Sequence, residues 1–310
     1  MKIESIPVVD LRDFDSGDAE RRAAFVGVLG ESLERLGFVA VRGHGIDLEL
    51  IERGYAVAAE TFALAEPVKR VYTTPEDGHQ RGYTPFGLER AKDQAAPDLK
   101  EFWHVGRALP AGHPLTVSGA IPANRFPAEV PAFEDVFAAL FTSFEGFAWK
   151  LLDAIGAHLG QPASYFRAMV QDGNSVLRII NYPDMGVKVP AGAVRAAAHE
   201  DINLLTVLPA STRPGLELLT RDGEWVSLET LADAMICDTG DMMQRVTGGM
   251  LPATTHRVVN PEGSDGGRMS MPFFLHPGSD VMLTPLRDNG QPAVRTHDFL
   301  MQRLRENGVV

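Results

Sequence analysis

Apolar positions recur every three or four residues through the first half of the chain and gather into short runs through the second. Phe25, Val28, Leu29, Leu33 and Leu36 form one such stripe and predict a helix over 19–36, with Gly37 as its C-terminal stop. Short buried strands are expected on either side, at 6–11 and 38–41. A second helix is predicted from Leu48 to about Leu64, ahead of Pro67. The longest stripe, Phe133, Phe137, Leu140, Phe144, Phe147 and Leu151, predicts a helix over 132–159 closed by Gly160 and Pro162. A polar stretch with Gly and Pro, 78–97, reads as a long, mobile surface loop.

Beyond Asp172 the helical period gives way to β-rich runs at 176–182, 204–208, 216–220, 225–228, 235–238, 257–260 and 268–275. Gly, Pro, Asp and Asn clusters divide them, and Arg221-Asp222-Gly223 has the chemistry of a hairpin turn. Many short strands of this kind predict a sandwich or barrel. A last helix over 296–306 carries Phe299, Leu300 and Leu304 on one face. The expected fold is mainly β with α, its helices concentrated in the first half and its sheet in the second.

A chain of 310 residues with 45% hydrophobic content can bury a sizeable core without staples. The net charge of −12, with no Lys/Arg run, argues against nucleic acid and anionic membrane surfaces as partners. Cys237 is the sole cysteine, which excludes an intrachain disulfide and fits a reducing cytoplasm. Met1–Asp10 lacks the apolar core of a secretion signal, and no stretch approaches the roughly 20 apolar residues of a membrane helix. A cytoplasmic protein acting on a small molecule is expected; its oligomeric state is not legible.

The chemistry begins at His199-Glu200-Asp201. In an extended segment residues i and i+2 point the same way, so His199 and Asp201 can reach one metal while Glu200 cannot. A third ligand must come from a distant strand, and His256 is the candidate. Two imidazoles and one carboxylate on one face of an octahedron are the facial triad of non-haem Fe(II), with three positions left for a chelating keto acid and O₂. Alone, either histidine reads better as an ordinary hydrogen-bonded side chain. Arg268-Met269-Ser270 changes that balance, because alternation puts the Arg268 fork and the Ser270 hydroxyl on one face. That donor pair grips a terminal carboxylate, here the distal one of 2-oxoglutarate.

These motifs and others in the same order resemble the isopenicillin N synthase-like family of 2-oxoglutarate/Fe(II)-dependent oxygenases. The resemblance runs from about residue 6 to residue 277 and includes 6–11, 36–46, Arg81-Gly82-Tyr83, Asp98–Phe102, Gly240–Gln244 and Thr254–Val258. It implies a double-stranded β-helix (a distorted jelly roll) with N-terminal and flanking helices. Residues 1–120 would be an N-terminal region packed on the core, and 121–310 the Fe(II)/2-oxoglutarate-binding jelly roll with its long supporting helix. By position, His199, Asp201 and His256 would bind iron, and Arg268 and Ser270 would bind 2-oxoglutarate. Tyr182 or Asn181 would add a hydrogen bond to the same carboxylate. Gly43 stands before His44 where the family commonly has Asn, and His44 reads as a turn-stabilising residue. His276 likewise reads as an ordinary residue past a strand end. The implied reaction consumes 2-oxoglutarate and O₂, releases succinate and CO₂, and oxidises a substrate C–H bond.

Tyr83, Phe86 and Arg178 are candidate substrate-lining residues, although the two aromatics fit ordinary packing and Arg178 a structural ion pair equally well. The main alternative is an oxidase of the same fold that does without 2-oxoglutarate, with Arg268 and Ser270 holding the substrate's own carboxylate; appearance of succinate separates the two. A catalytically silent binding module would not need both triad and anchor. A cupin-like zinc or manganese enzyme would call for His-x-His spacing that the chain lacks, although zinc can outcompete Fe(II) for the same ligands.

Overall fold

In the computed structural model, which describes residues 6–88, 98–184, 194–229, 231–259 and 266–306, the stripe at 19–36 is helical over that span. Asp18 caps its N-terminus by accepting from the Glu20 and Arg21 amides, and Gly37 ends it at φ 66°. A side chain at position 37 would be strained there and would meet the Pro252 carbonyl oxygen at 2.8 Å. The α-helices are α1 Leu11–Asp15, α2 Ala19–Leu36, α3 Leu48–Phe62, α4 Glu66–Arg70, α5 Pro114–Val117, α6 Phe133–His158, α7 Tyr165–Val170, α8 Asp241–Val246 and α9 Thr296–Glu306. The strands are β1 Val8–Asp10, β2 Phe38–Arg42, β3 Gly82–Thr84, β4 Glu101–Gly106, β5 Val176–Tyr182, β6 Ala196–His199, β7 Leu205–Leu208, β8 Leu216–Leu219, β9 Trp225–Ser227, β10 Ala234–Thr239, β11 His256–Val258, β12 Arg268–Ser270, β13 Phe273–Leu275, β14 Met282–Leu283 and β15 Val294–Arg295.

A nine-stranded sheet runs β1-β2-β10-β7-β13-β5-β4-β3, with β12 also paired to β5. A four-stranded sheet, β6-β11-β8-β9, forms the second layer of the double-stranded β-helix. Residues opposite one another in a ladder share a face, so the pairings sort the large sheet into two sides. One side carries Val39, Cys237, Val207, Phe273, Leu177 and Trp103, which pack with α6 and its neighbours in the main apolar core. The other carries Phe38, Ile236, Leu208, Ile180 and Phe102 and closes on Ala196, Leu218 and Val258 of the small sheet. The space between the sheets is therefore the second, inner core, and polar groups on that side face each other there.

Beyond the two strands expected at 6–11 and 38–41, which become β1 and β2, the first half also supplies β3 and β4 to the large sheet. β4 lies buried on both faces over its whole length, so Glu-Phe-Trp-His-Val-Gly shows no polar alternation to betray a strand. The expected surface loop at 78–97 contains β3, all three residues of which are buried; 89–97 fall outside the described residues. The predicted run 268–275 is two strands, because Pro272 cannot donate to a ladder and its carbonyl instead accepts from the Arg178 amide at 2.9 Å. His44 does act in a turn, its Nδ1 accepting from the Ile46 amide at 3.1 Å.

Glu101, on β4, ties the N-terminal helices to β5. Its Oε2 accepts from Lys69 Nζ at 2.7 Å and Tyr83 Oη at 2.5 Å, and its Oε1 accepts from Asn181 Nδ2 at 2.8 Å. Lys69 and Glu101 are 6% and 8% exposed, so neither charge has water to fall back on. Glu101→Ala should lower unfolding free energy by roughly 3–5 kcal/mol in a denaturant titration, because it strands the Lys69 ammonium. The double variant Lys69→Met/Glu101→Leu should recover most of that loss.

Candidate functional site

His199 ends β6 and His256 begins β11, and the two are partners in the antiparallel ladder. A register shift between His256 and Val258 turns Ala196 toward the inner core while leaving both imidazoles side by side. Their ring centroids are 4.5 Å apart. Asp201 Oδ1 lies 3.8 Å from each Nε2, and the three ligand atoms fall within 4.8 Å of one another. Each Nδ1 sits by a carbonyl two residues back, His199 at 2.7 Å from Ala197 O and His256 at 3.1 Å from Thr254 O. Donation to those carbonyls places the proton on Nδ1 and leaves both Nε2 lone pairs facing the carboxylate, the tautomer a metal requires.

Asp201 is fixed from behind. The Thr206 hydroxyl donates to its Oδ2, and Asn203 Nδ2 donates to Thr206 Oγ1 at 3.0 Å. The Asp241 amide at the start of α8 donates to Asp201 O at 2.7 Å, and Gly240 leaves room for that approach, since a Cβ there would lie 2.7 Å from the same oxygen. Arg303 of α9 in turn donates to Asp241 Oδ2 at 2.7 Å. Asp238, buried beside Thr206 on β10, is pushed well above the carboxylate range by burial and by the Asp201 charge. Two neutral imidazoles and a braced carboxylate are a donor set that suits Fe(II).

Arg268 and Ser270 lie on the inner side of β12, opposite Tyr182 and Ile180 of β5. The Arg268 side chain is buried; its Nε donates to Arg213 O at 3.0 Å, Nη2 to Ser211 Oγ at 2.6 Å and Nη1 to Ser270 Oγ at 3.2 Å. The Tyr182 ring centroid is 5.2 Å from its Cζ. A buried guanidinium whose partners are carbonyl and hydroxyl oxygens suits a ligand carboxylate.

Of the other expected site residues, the structure brings in Arg178 and turns two away. Arg178 shares the inner side of β5 with Ile180 and Tyr182, its Cζ 4.4 Å from the Phe102 centroid and 5.3 Å from the Phe274 centroid. Its Nε donates to His104 Nε2 at 2.7 Å, while His104 Nδ1 meets His79 O at 2.9 Å. Asn181 is corrected: it points to the opposite side of β5, where Glu101 holds it. Tyr83 is also corrected, being fully buried against Trp103 on the helix side of the sheet. Phe86 is half-buried in the turn after β3. Sequence reasoning misses His104 and reads His276 as ordinary, although each lies two residues past an inner-side phenylalanine, Phe102 and Phe274. Alternation carried further finds both.

Two family models match the chain: the non-haem dioxygenase in morphine synthesis N-terminal region over residues 6–129, and the 2OG-Fe(II) oxygenase superfamily over 173–277. A crystal structure of a 2OG-Fe(II) oxygenase family protein from Caulobacter crescentus is 38% identical, with a TM-score of 0.86 over 98% of this chain and 99% of that one. A full-length Neurospora crassa protein crystallised in complex with alpha-KG is 25% identical, with a TM-score of 0.86 over 98% and 97%. The 2-oxoglutarate-dependent dioxygenase traH of Penicillium crustosum is 29% identical over 308 residues, 96% of this chain and 92% of its own. The chain belongs to the 2-oxoglutarate/Fe(II) oxygenases, of the isopenicillin N synthase-like class. It is a dioxygenase that uses Fe(II), 2-oxoglutarate and O₂ to oxidise its substrate, and the oxidase alternative is not favoured. No helix of the described residues is long and apolar enough to cross a membrane.

Burial, and next the charge of His256, hold the His199 pKa down to about 4; burial does the same for His276, also to about 4. Both therefore titrate lower folded than unfolded, where the value is near 6.5. Between those values the unfolded chain binds more protons, so metal-free protein should lose stability as pH falls from about 6.5 toward 4. The His199 side chain is 37% exposed, so His276 should dominate. The urea midpoint should drop between about pH 7 and about pH 5, and His276→Gln should flatten the drop.

Proposed function

We propose that His199, Asp201 and His256 are the iron ligands, and that Arg268, Ser270 and Tyr182 hold the distal carboxylate of 2-oxoglutarate. The buried Arg268 guanidinium, reached only by neutral oxygens among the described residues and facing the same inter-sheet space as the triad, carries this reading. Iron bound here would supply the O₂ activation; the chain's own task is to orient the keto acid and substrate around it and to keep competing water out. Thr206, Asn203 and α8 hold Asp201 in place, and the two backbone carbonyls keep both histidines in the metal-binding tautomer. The regions 1–120 and 121–310 share the work: the first contributes Glu101, Phe102 and His104 beside β5, the second the metal ligands and the anchor.

The substrate we infer is a small, flat molecule carrying a carbonyl or carboxylate group. Arg178 supports this: its guanidinium lies near two aromatic rings on the inner side, and its Nε is committed to a His104 whose Nδ1 proton goes to His79 O. Crystals of the Neurospora crassa protein have also been grown with thymine, a flat ring with two carbonyl groups. Phe274 and His276 complete the wall. Cys237, buried on the helix side, fits the reducing cytoplasm as the compartment.

Anaerobic protein given Fe(II) and then 2-oxoglutarate should develop the weak visible charge-transfer band of the chelate. His199→Ala should abolish it. Arg268→Ala should leave iron uptake intact but raise the 2-oxoglutarate needed for half-formation by about 100-fold, the worth of roughly 3 kcal/mol of charge-assisted hydrogen bonding. An unchanged titration in Arg268→Ala would contradict the anchor assignment.

A further inference from the structure

Three arginines meet where β12 begins. Arg268 Nε donates to Arg213 O at 3.0 Å, an ideal Cβ on Gly266 would lie 2.9 Å from Arg213 Nη2, and Arg195 Nη2 donates to Gly266 O at 2.8 Å. Arg195, four residues before His199 and just ahead of β6, is 5% exposed. Its Nη1 is buried and has no hydrogen-bond partner among the described residues. A guanidinium offers five N–H donors and stays charged, so a buried, unused donor on it is a cost the fold accepts only for a reason. The hydrogen-bond acceptors of Arg195 and Arg268 among the described residues are carbonyl and hydroxyl oxygens, none of them a carboxylate. Burial, and then the charges of Arg268 and Arg213, press on Arg195 to give up its proton, with Tyr182 and the more weakly acting Asp184 carboxylate in the opposite sense. Arg195 thus lies within electrostatic reach of both Arg268 and Tyr182, two members of the proposed carboxylate anchor.

We propose that Arg195 is a second cationic contact for the distal carboxylate of 2-oxoglutarate, with Nη1 as the donor. This rests on the reading of Arg268 as the primary anchor and adds a residue from the small sheet to a site otherwise built on β5 and β12. The carboxylate would be gripped from both layers of the β-helix, and its binding would couple β6, which carries His199, to the strand that carries Arg268. Binding of the co-substrate would satisfy the orphaned donor and relieve the repulsion between like charges. The competing explanation is that Arg195 only braces Gly266 and so aims Arg268.

The two are separated by a double-variant cycle on the full-length Fe(II) protein, read from the charge-transfer band under anaerobic conditions. Arg195→Met should raise the 2-oxoglutarate needed for half-formation by about tenfold, the worth of one charge-assisted hydrogen bond. Arg195→Lys, which keeps the charge but loses the planar fork, should give a smaller shift of the same sign, and it carries the test if the Met variant does not fold. 2-Oxobutyrate, which has the same chelating head and no distal carboxylate, should bind wild type and both variants alike. In an Arg268→Ala background, Arg195→Met should still add a several-fold shift, because a direct contact survives the loss of the other. No shift in that background, an equal shift for 2-oxobutyrate, or an unchanged 2-oxoglutarate titration in the single variants would each overturn the proposal. If Arg268→Ala alone leaves the titration unchanged, the anchor reading itself fails and this proposal falls with it.

Discussion

The pairing of His256 opposite His199 is the constraint on which the rest of the site depends. Side chains alternate along a strand, so a slip of one residue in β11 would send His256 to the far side of the small sheet and break up the His199/Asp201/His256 cluster. The bulge beside this pair lets β6 set His199 beside His256 and Asp201 and turn Ala196 to the inner core within the same short strand. Three later parts of the chain hold Asp201 against that pair: the Thr206 hydroxyl on one carboxylate oxygen, an α8 amide on its carbonyl, and α9 clamping Asp241 from outside.

Buried polar groups are held by partners in both layers of the architecture. On the helix side of the large sheet Lys69 and Glu101 form a buried ion pair, with Tyr83 and Asn181 completing it, and this network welds the N-terminal region to β5. Around the candidate site, among the described residues, Arg268 donates to hydroxyl and carbonyl oxygens, Arg178 Nε to His104, and the His199 and His256 imidazoles sit by backbone oxygens, while Lys100 and Asp98 form a second buried ion pair beside β6. Both phenylalanines that flank Arg178 belong to the inner side, so the same space is apolar enough to exclude water and polar enough to orient a small molecule.

Much of this architecture is legible because it depends on short-range periodicity. The stripe at 19–36 with Gly37 behind it forms a helix with those bounds, and β5 spans 176–182 as its run of apolar residues implies. The triad and the Arg268/Ser270 pair are visible because period 2 brings i and i+2 to one side, and the structure gathers the three ligand atoms as that argument requires. The failures are of one kind. Whether Tyr83 and Asn181 face the inner or outer side depends on which neighbour each strand pairs with, and that is settled by β4 and β3, strands too thoroughly buried or too short to announce themselves. Arg195 escapes a reading of the sequence because its partner Gly266 lies 71 residues away, whereas His104 and His276 are within reach of alternation from Phe102 and Phe274.

The central claim is that this chain couples consumption of 2-oxoglutarate to oxidation at the His199/Asp201/His256 site. Turnover of the Fe(II) protein under ¹⁸O₂, with mass analysis of the succinate formed, tests it most directly. One labelled oxygen in succinate, lost together with succinate itself in Asp201→Ala, is the result expected. Oxidation of a substrate under the same conditions with no labelled succinate would contradict it.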